Sequence, residues 1–331
     1  TPALGGLPSL GPGLPAQPVY THAPPHAPRS RADKLALVRR AMAALGATHH
    51  FVSTVDDIAW ITNLRGSDVE YNPVFMAHLL LDGAGGRLFA DVADVDMANG
   101  AKGGKGGAVK IAAAERAALA ADGIHVLPYA QAGAALAALG AADRLLIDPR
   151  RVTLGFRQRV GAGCKVIEAL NPSTLAKSRK TDAEAAHVRE AMIEDGVAMC
   201  EFYAWMEEAL GAARPHGVIT EITIDEKLSA ARARRPGFVG LSFSTIAGFN
   251  ANGAMPHYRA TPESHAAVSG DGLLLIDSGG QYLGGTTDIT RVWPVGTVSA
   301  AIIATAPPSE LPTRCAAPTP SASRAAQTTR A

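Results

Sequence analysis

Apolar residues first fall into a regular period after Ser30. Leu35, Val38, Met42 and Leu45 recur at three- and four-residue intervals, the spacing of one buried helical face, with Ser30 as N-cap and Gly46 as the stop. From there to about Asn171 short β-like runs alternate with helical ones. Residues 50–53 predict a strand, and 77–81 and 87–90 predict two strands of a hairpin turning at Asp82-Gly83-Ala84-Gly85-Gly86. Residues 124–127 predict another strand, 131–139 a helix, and 144–148 a strand stopped by Pro149. Helices and short strands in alternation predict a compact α/β domain.

After Asn171-Pro172 the pattern changes. Thr181, Asp182 and Glu184 open a long helical period through Val188, Met192, Val197, Phe202 and Trp205 to Leu210, with Gly211 as its stop. Phe202 and Trp205 are expected in its core. Thr223-Ile224-Asp225-Glu226 reads as the capped start of a second helix, and strand-like runs follow at 238–246, 255–259, 273–277 and 286–295. Helices followed by antiparallel strands predict an α+β domain. The fold class is therefore α/β plus α+β.

The ends lack either period. Residues 1–30 are dominated by Pro, Gly and Ala, which favours extended chain and predicts a linker, with order beginning at Ser30. Beyond Thr297 the composition turns to Ala, Pro, Ser and Thr with scattered Arg, and residues 298–331 are expected to form a low-complexity tail foreign to the domain before it.

Composition narrows the function classes. The 331 residues are 47% hydrophobic and 18% charged, ample for two cores, and the net charge of +1 offers no field for nucleic acid or an anionic membrane. No apolar run reaches the length of a membrane span, so a soluble protein is expected, and the sparse cysteines fit a cytoplasmic one. Cys164, Cys200 and Cys315 are far apart and form no C-x-x-C pair, which argues against a disulfide framework or a thiolate metal site. The chain opens on Thr1 without a signal-peptide pattern, so this start is not expected to be the natural one.

The most informative chemistry lies in LLLIDSGGQYLGGTTDITR, residues 273–291. A strand ending in Asp277, a Gly-rich turn and a returning strand with Asp288 would set two carboxylates across a hairpin from each other. Such a pair repels unless a hard divalent cation lies between them; the alternative is a surface hairpin with two solvated acids. Other motifs are weaker. Lys102-Gly-Gly-Lys105-Gly-Gly107 lacks P-loop spacing and predicts a mobile basic loop. His49 and His50, adjacent in a strand, point to opposite faces. His187 and His216 have no partner at ligand spacing.

Asp277 and Asp288 in that segment resemble the paired aspartates of the pita-bread metallopeptidases. The upstream segment FSTIAGFNANGAMPHY, residues 243–258, is similar to the active-site strand of one branch, aminopeptidase P, and WITNLRGSDV, residues 60–69, resembles the creatinase-type domain that precedes the catalytic domain there. The resemblance runs from about residue 31 to 297 in consistent order. It implies a creatinase-like N-terminal α/β domain over 31–172, then the first half of a pita-bread metallopeptidase domain over 173–297.

By resemblance, the family releases the N-terminal residue from peptides with proline in second position, using two metal ions, commonly Mn²⁺. Asp277 resembles the aspartate that binds one metal, Asp288 the one that bridges both, and His257 the histidine that stabilises the tetrahedral intermediate. The partners implied are proline-containing peptides, with neither nucleic acid nor membrane, and a homodimer when the family form is intact. The sequence also departs from the family. The site needs a further histidine and two glutamates, yet no histidine follows His265 and the one carboxylate after Asp288 is Glu310, in a segment without strand character. Residues 14–34 resemble the linker between the two creatinase-like domains of the long three-domain form. A frameshift or a broken gene model near 298–301 would account for the tail, and the chain as given is expected to be inactive. The rival reading is a non-catalytic pita-bread module that binds a peptide or protein; creatinase, metal-free on the same architecture, is disfavoured by the aspartate pair.

Overall fold

The computed structural model describes residues 14–91, 110–211 and 217–297. Within these the chain divides into two compact units. The first runs to Glu194 and takes in Pro236–Ser242 and Gln281–Thr286; the second holds Asp195–Arg235, Phe243–Gly280 and the chain from Thr287.

In chain order the first stretch carries β1 (Tyr20–Thr21), α1 (Arg31–Ala44), β2 (His49–Val52), α2 (Val55–Thr62), β3 (Leu64–Arg65), β4 (His78–Asp82), β5 (Gly86–Asp91), α3 (Ala113–Ala121), β6 (Ile124–Pro128), α4 (Ala132–Ala137), β7 (Arg144–Ile147), α5 (Leu154–Arg157), β8 (Lys165–Glu168) and α6 (Pro172–Ser178). A six-stranded sheet in the order β6-β5-β4-β2-β7-β8 forms the centre of the first unit. β2 and β4, and β4 and β5, run antiparallel, while β2/β7, β5/β6 and β7/β8 run parallel.

The apolar runs in these strands are continuous because both faces of the sheet are covered. Alternation sends Val52, Leu79, Leu81 and Leu146 into one core with Leu35, Val38 and Met42 of α1. It sends Phe51, Leu80, Leu145 and Ile147 into the other with Leu136 of α4. α1 begins as expected: the Ser30 side chain accepts from the Asp33 amide, and Gly46 has the positive φ of 69° that lets the chain leave the helix. Leu45, expected on the buried face, is the C-cap and is exposed. The face instead extends to Arg31, which satisfies its buried guanidinium on the Thr62 carbonyl and on Asp122 at 2.8 Å.

The expectation that order begins at Ser30 is corrected. β1 pairs antiparallel with β3, and Val19 before it is buried. The Pro- and Gly-rich composition hid a strand of two residues, too short to show a period.

The remaining elements are α7 (Asp182–Leu210), α8 (Glu221–Ala233), β9 (Phe238–Leu241), β10 (Ile246–Phe249), β11 (Gly272–Ser278), β12 (Gly280–Tyr282), β13 (Gly285–Thr286) and β14 (Ile289–Val295). In the second unit, β10, β11 and β14 form an antiparallel sheet. Leu274 and Ile276 of β11 join Phe202 and Met206 of α7 and Ile224 and Leu228 of α8 in one core, with Trp205 packed against it. Arg232 of α8 and Asp195, both fully buried, tie the two helices with Nε to Oδ1 at 2.6 Å and Nη2 to Oδ2 at 3.1 Å.

Two strand predictions change. The run 238–246 is not one strand: β9 lies in a sheet ordered β13-β12-β9, while β10 pairs with β11. Ser242, Phe243, Ser244 and Thr245 between them read as β-like only by residue type. Residues 255–259 form no strand; they follow a 3-10 turn over Asn250–Ala254 and include His257 at a left-handed φ of 57°. The α8 cap is Thr220, one turn before the expected start, in a reciprocal capping arrangement with Thr223.

Candidate metal centre

β11 alternates across its sheet. Leu274, Ile276 and Ser278 are buried toward the helices, so Leu273, Leu275 and Asp277 share the other, half-buried face. Strand register with β14 places Thr290 directly opposite Asp277, and its hydroxyl donates to Asp277 Oδ1 at 2.8 Å. Asp288 stands just before β14, two residues from Thr290 and so on the same face of an extended chain.

Asp277 and Asp288 are thus neighbours, but not the opposed pair of a regular hairpin. The chain between them leaves the ladder at Ser278, and Gly280 and Thr287 close it again, with the Thr287 amide donating to the Gly280 carbonyl at 2.9 Å. The Asp288 carboxyl is held above the usual carboxylate range, first by partial burial and then by the charge of Asp277 and a hydrogen bond between the two acids. Two neighbouring hard oxygen donors whose like charges repel fit a divalent cation, which would offset that repulsion. Among the described residues no group of three or more His, Cys, Asp or Glu side chains could hold a metal ion. The donor set therefore fits the group at two positions.

His257 is exposed, and the segment carrying it is anchored by a residue the sequence reading missed. Glu221, fully buried at the first position of α8, accepts from the Phe249 and Ala266 amides, each at 2.7 Å, from the Tyr258 hydroxyl at 2.7 Å and from Asn252 Nδ2 at 3.0 Å. Burial pushes the Glu221 carboxyl up, but these donors more than offset it and hold the group below its ordinary value. Tyr258 is correspondingly pushed up to about 12, by burial and by the bond to and charge of Glu221. The available signal was a carboxylate one residue inside a Thr-x-x-Thr cap.

The same loop doubles back on its strand at a pair of glycines. A Cβ on Gly248 would stand 2.7 Å from Gly253 Cα, and one on Gly253 would meet Leu275 Cβ at 3.5 Å. This close approach lays the 3-10 turn on the Leu275 side of β11, the side that carries Asp277.

The other candidates separate from this site. His50 is buried and hydrogen-bonded to the Leu146 carbonyl at 3.0 Å, with burial driving its pKa down to about 4, while His49 pairs with Asp143 at 3.4 Å. The two rings thus serve opposite faces. His187 packs against His26 with the rings tilted by 59° and their centroids 5.3 Å apart. Lys102, Lys105, His216, Glu310 and Cys315 lie outside the described residues. A cavity of about 530 Å³ in the first unit is lined by Tyr20, His22, Trp60, Arg65 and Gln281, among others, and holds neither aspartate.

The family model for the Creatinase/Prolidase N-terminal domain matches residues 11–184, more than half of the chain, and that for Metallopeptidase family M24 matches residues 186–306. This chain belongs to the Creatinase/Prolidase N-terminal domain family. Xaa-Pro aminopeptidase 1 of Dictyostelium discoideum is 33% identical over 265 residues, which cover 80% of this chain and 39% of that protein. Aminopeptidase P2 of Arabidopsis thaliana is 31% identical over 311 residues, 85% of this chain and 41% of that protein. The chain thus spans about two fifths of the length of these curated relatives. In fold it is similar to the X-prolyl aminopeptidase of Caenorhabditis elegans, described as a cytosolic enzyme with a di-nuclear active site. The TM-score is 0.74 at 24% identity, covering 88% of this chain and 46% of that one. Among the described residues no helix is long and apolar enough to cross a membrane.

Proposed function

We propose that the chain carries the first half of a dinuclear Xaa-Pro aminopeptidase site, with Asp277 and Asp288 as metal ligands and His257 as the catalytic histidine. The observation that carries this reading is the placement of the Asp277 and Asp288 carboxylates as neighbours on the side of β11 away from the helical core, with Thr290 opposite Asp277 in the ladder. Mn²⁺ is the cation proposed, the cytosol the compartment, a proline-containing peptide the substrate, and a homodimer the complete form. When bound, a pair of divalent cations supplies Lewis acidity toward the scissile carbonyl and lowers the pKa of water.

The chain's own residues have narrower tasks. Asp277 would hold one cation and Asp288 would be shared by both, and Thr290 fixes the Asp277 carboxylate by donating to Oδ1. The His257 imidazole donates a hydrogen bond to the oxygen that gains charge as the carbonyl becomes tetrahedral. Since these residues supply two of the five ligands that the family resemblance implies, the 331-residue chain should not turn over unaided.

A second reading is supported by the lack of a three-ligand group among the described residues: a non-catalytic pita-bread module that binds a peptide or protein. Assay of Xaa-Pro peptides with Mn²⁺ and with chelator, alongside binding of the same peptides, separates the two. Metal-dependent release of the first residue once the missing ligands are supplied supports the enzyme. Peptide binding that never leads to release, with those ligands present, supports the module.

A further inference from the structure

Glu221 is the carboxylate with the most demanding surroundings in the second unit. It is fully buried, and among the described residues no lysine or arginine pairs with it. A lone anion in that position is tolerated only when charge-assisted hydrogen bonds replace its water. Oε1 accepts from the Phe249 amide and Asn252 Nδ2; Oε2 accepts from Asn252 Nδ2, the Tyr258 hydroxyl and the Ala266 amide. Its place at the first position of the 13-residue helix α8 adds the favourable end of the helix dipole.

These donors bracket one segment. Phe249 closes β10 and Ala266 adjoins the Thr220–Ala267 bridge, so a single carboxylate pins the chain that carries His257 on both sides. Tyr258, the residue after His257, is the inner tether, and Asn252 joins Glu221 and the Tyr258 hydroxyl at 3.0 Å. His257 itself sits at φ 57°, a left-handed conformation that costs a non-glycine residue energy and persists only where neighbours enforce it.

We propose that Glu221 is a positioning residue that acts through Tyr258 to hold His257 in its left-handed place at the peptidase site. The role rests on the proposed function, since it gives His257 a task. A glutamine cannot substitute. Each carboxylate oxygen faces a backbone amide at 2.7 Å, so whichever way the side-chain amide turns, its NH2 meets an N–H donor. An aspartate is one methylene too short.

The test uses the full chain with histidine labelled at Cε1, its ten histidine resonances read by NMR and His257 assigned with His257→Gln. Glu221→Gln should displace the His257 resonance and speed exchange of the Phe249 and Ala266 amides at least about ten-fold, the equivalent of ~1.4 kcal/mol of local opening. Tyr258→Phe, which removes one hydrogen bond and keeps the ring, should displace His257 with a smaller loss of Tm. Ile224→Val in the buried face of α8 is the control: it should lower Tm without moving His257. A His257 resonance that stays in place in Tyr258→Phe, or that moves equally in Ile224→Val, would overturn the proposal. None of these readouts uses peptide hydrolysis. An unmoved His257 would therefore remove the role of Glu221 alone, and a displaced His257 alongside a folded, Mn²⁺-binding chimera with the remaining ligands supplied that releases nothing would remove the proposed function alone.

Discussion

Thr290 stands directly opposite Asp277 in the β11–β14 ladder and donates its hydroxyl to Asp277 Oδ1 at 2.8 Å. Asp288 is therefore offset by two residues from the position across from Asp277. It stands just outside the ladder, before β14 begins at Ile289. Partial burial first, and then the neighbouring Asp277 charge, raise the pKa of Asp288.

That strain has a sign. An acid whose pKa is raised by folding contributes stability while protonated, and the contribution is lost as pH rises through its folded pKa. Without divalent cations, Asp288→Asn should melt at or above the parent chain at pH 7, with the difference vanishing as pH falls through the carboxylate range. Added Mn²⁺ should raise Tm of the parent more than that of the variant. Equal responses to Mn²⁺ would contradict the assignment of Asp288 as a ligand.

Glu221 behaves in the opposite sense. Its pKa is lowered by folding, so its contribution is present above the ordinary glutamate value of 4.5 and is lost as pH falls through the depressed value. Glu221→Gln should cost roughly 3 kcal/mol at pH 7, since it leaves a buried N–H donor facing another donor. The variant's stability should also fall less than the parent's between pH 5 and about pH 3. Thermal melts across that range check both statements.

The Asp195–Arg232 pair offers a stability test away from the site. With both groups fully buried, Asp195→Ala strands the guanidinium and should cost about 3–5 kcal/mol. Asp195→Leu combined with Arg232→Met should recover most of that loss. A double variant as unstable as the single would show that packing, not the stranded charge, sets the cost.

Much of this was legible in the sequence, for identifiable reasons. Leu79 to Leu81 and Leu145 to Ile147 feed two cores on opposite faces, so their runs were long and apolar enough to read as strands. Asp277 and Asp288 stood out because acids flanking a glycine turn are rare at the end of an apolar strand. Glu221 was invisible because its five contacts come from 249, 252, 258 and 266, positions that only the tertiary fold brings to one carboxylate. The run at 238–246 misled because β propensity does not say which sheet a strand joins. Tyr20–Thr21 was lost among prolines.

The most direct test is release of the first residue from an Xaa-Pro peptide by two proteins, each with and without Mn²⁺. One is the 331-residue chain. The other is the same chain joined to the second half of the catalytic domain of the Dictyostelium relative, which would supply the remaining ligands. The account predicts no proline-specific release by the first and chelator-sensitive release by the second. In the second, Asp288→Asn should lower the rate by more than about 100-fold, beyond the loss expected for an outer-shell partner. Undiminished turnover in that variant, or a folded, Mn²⁺-binding chimera that releases nothing, would contradict it.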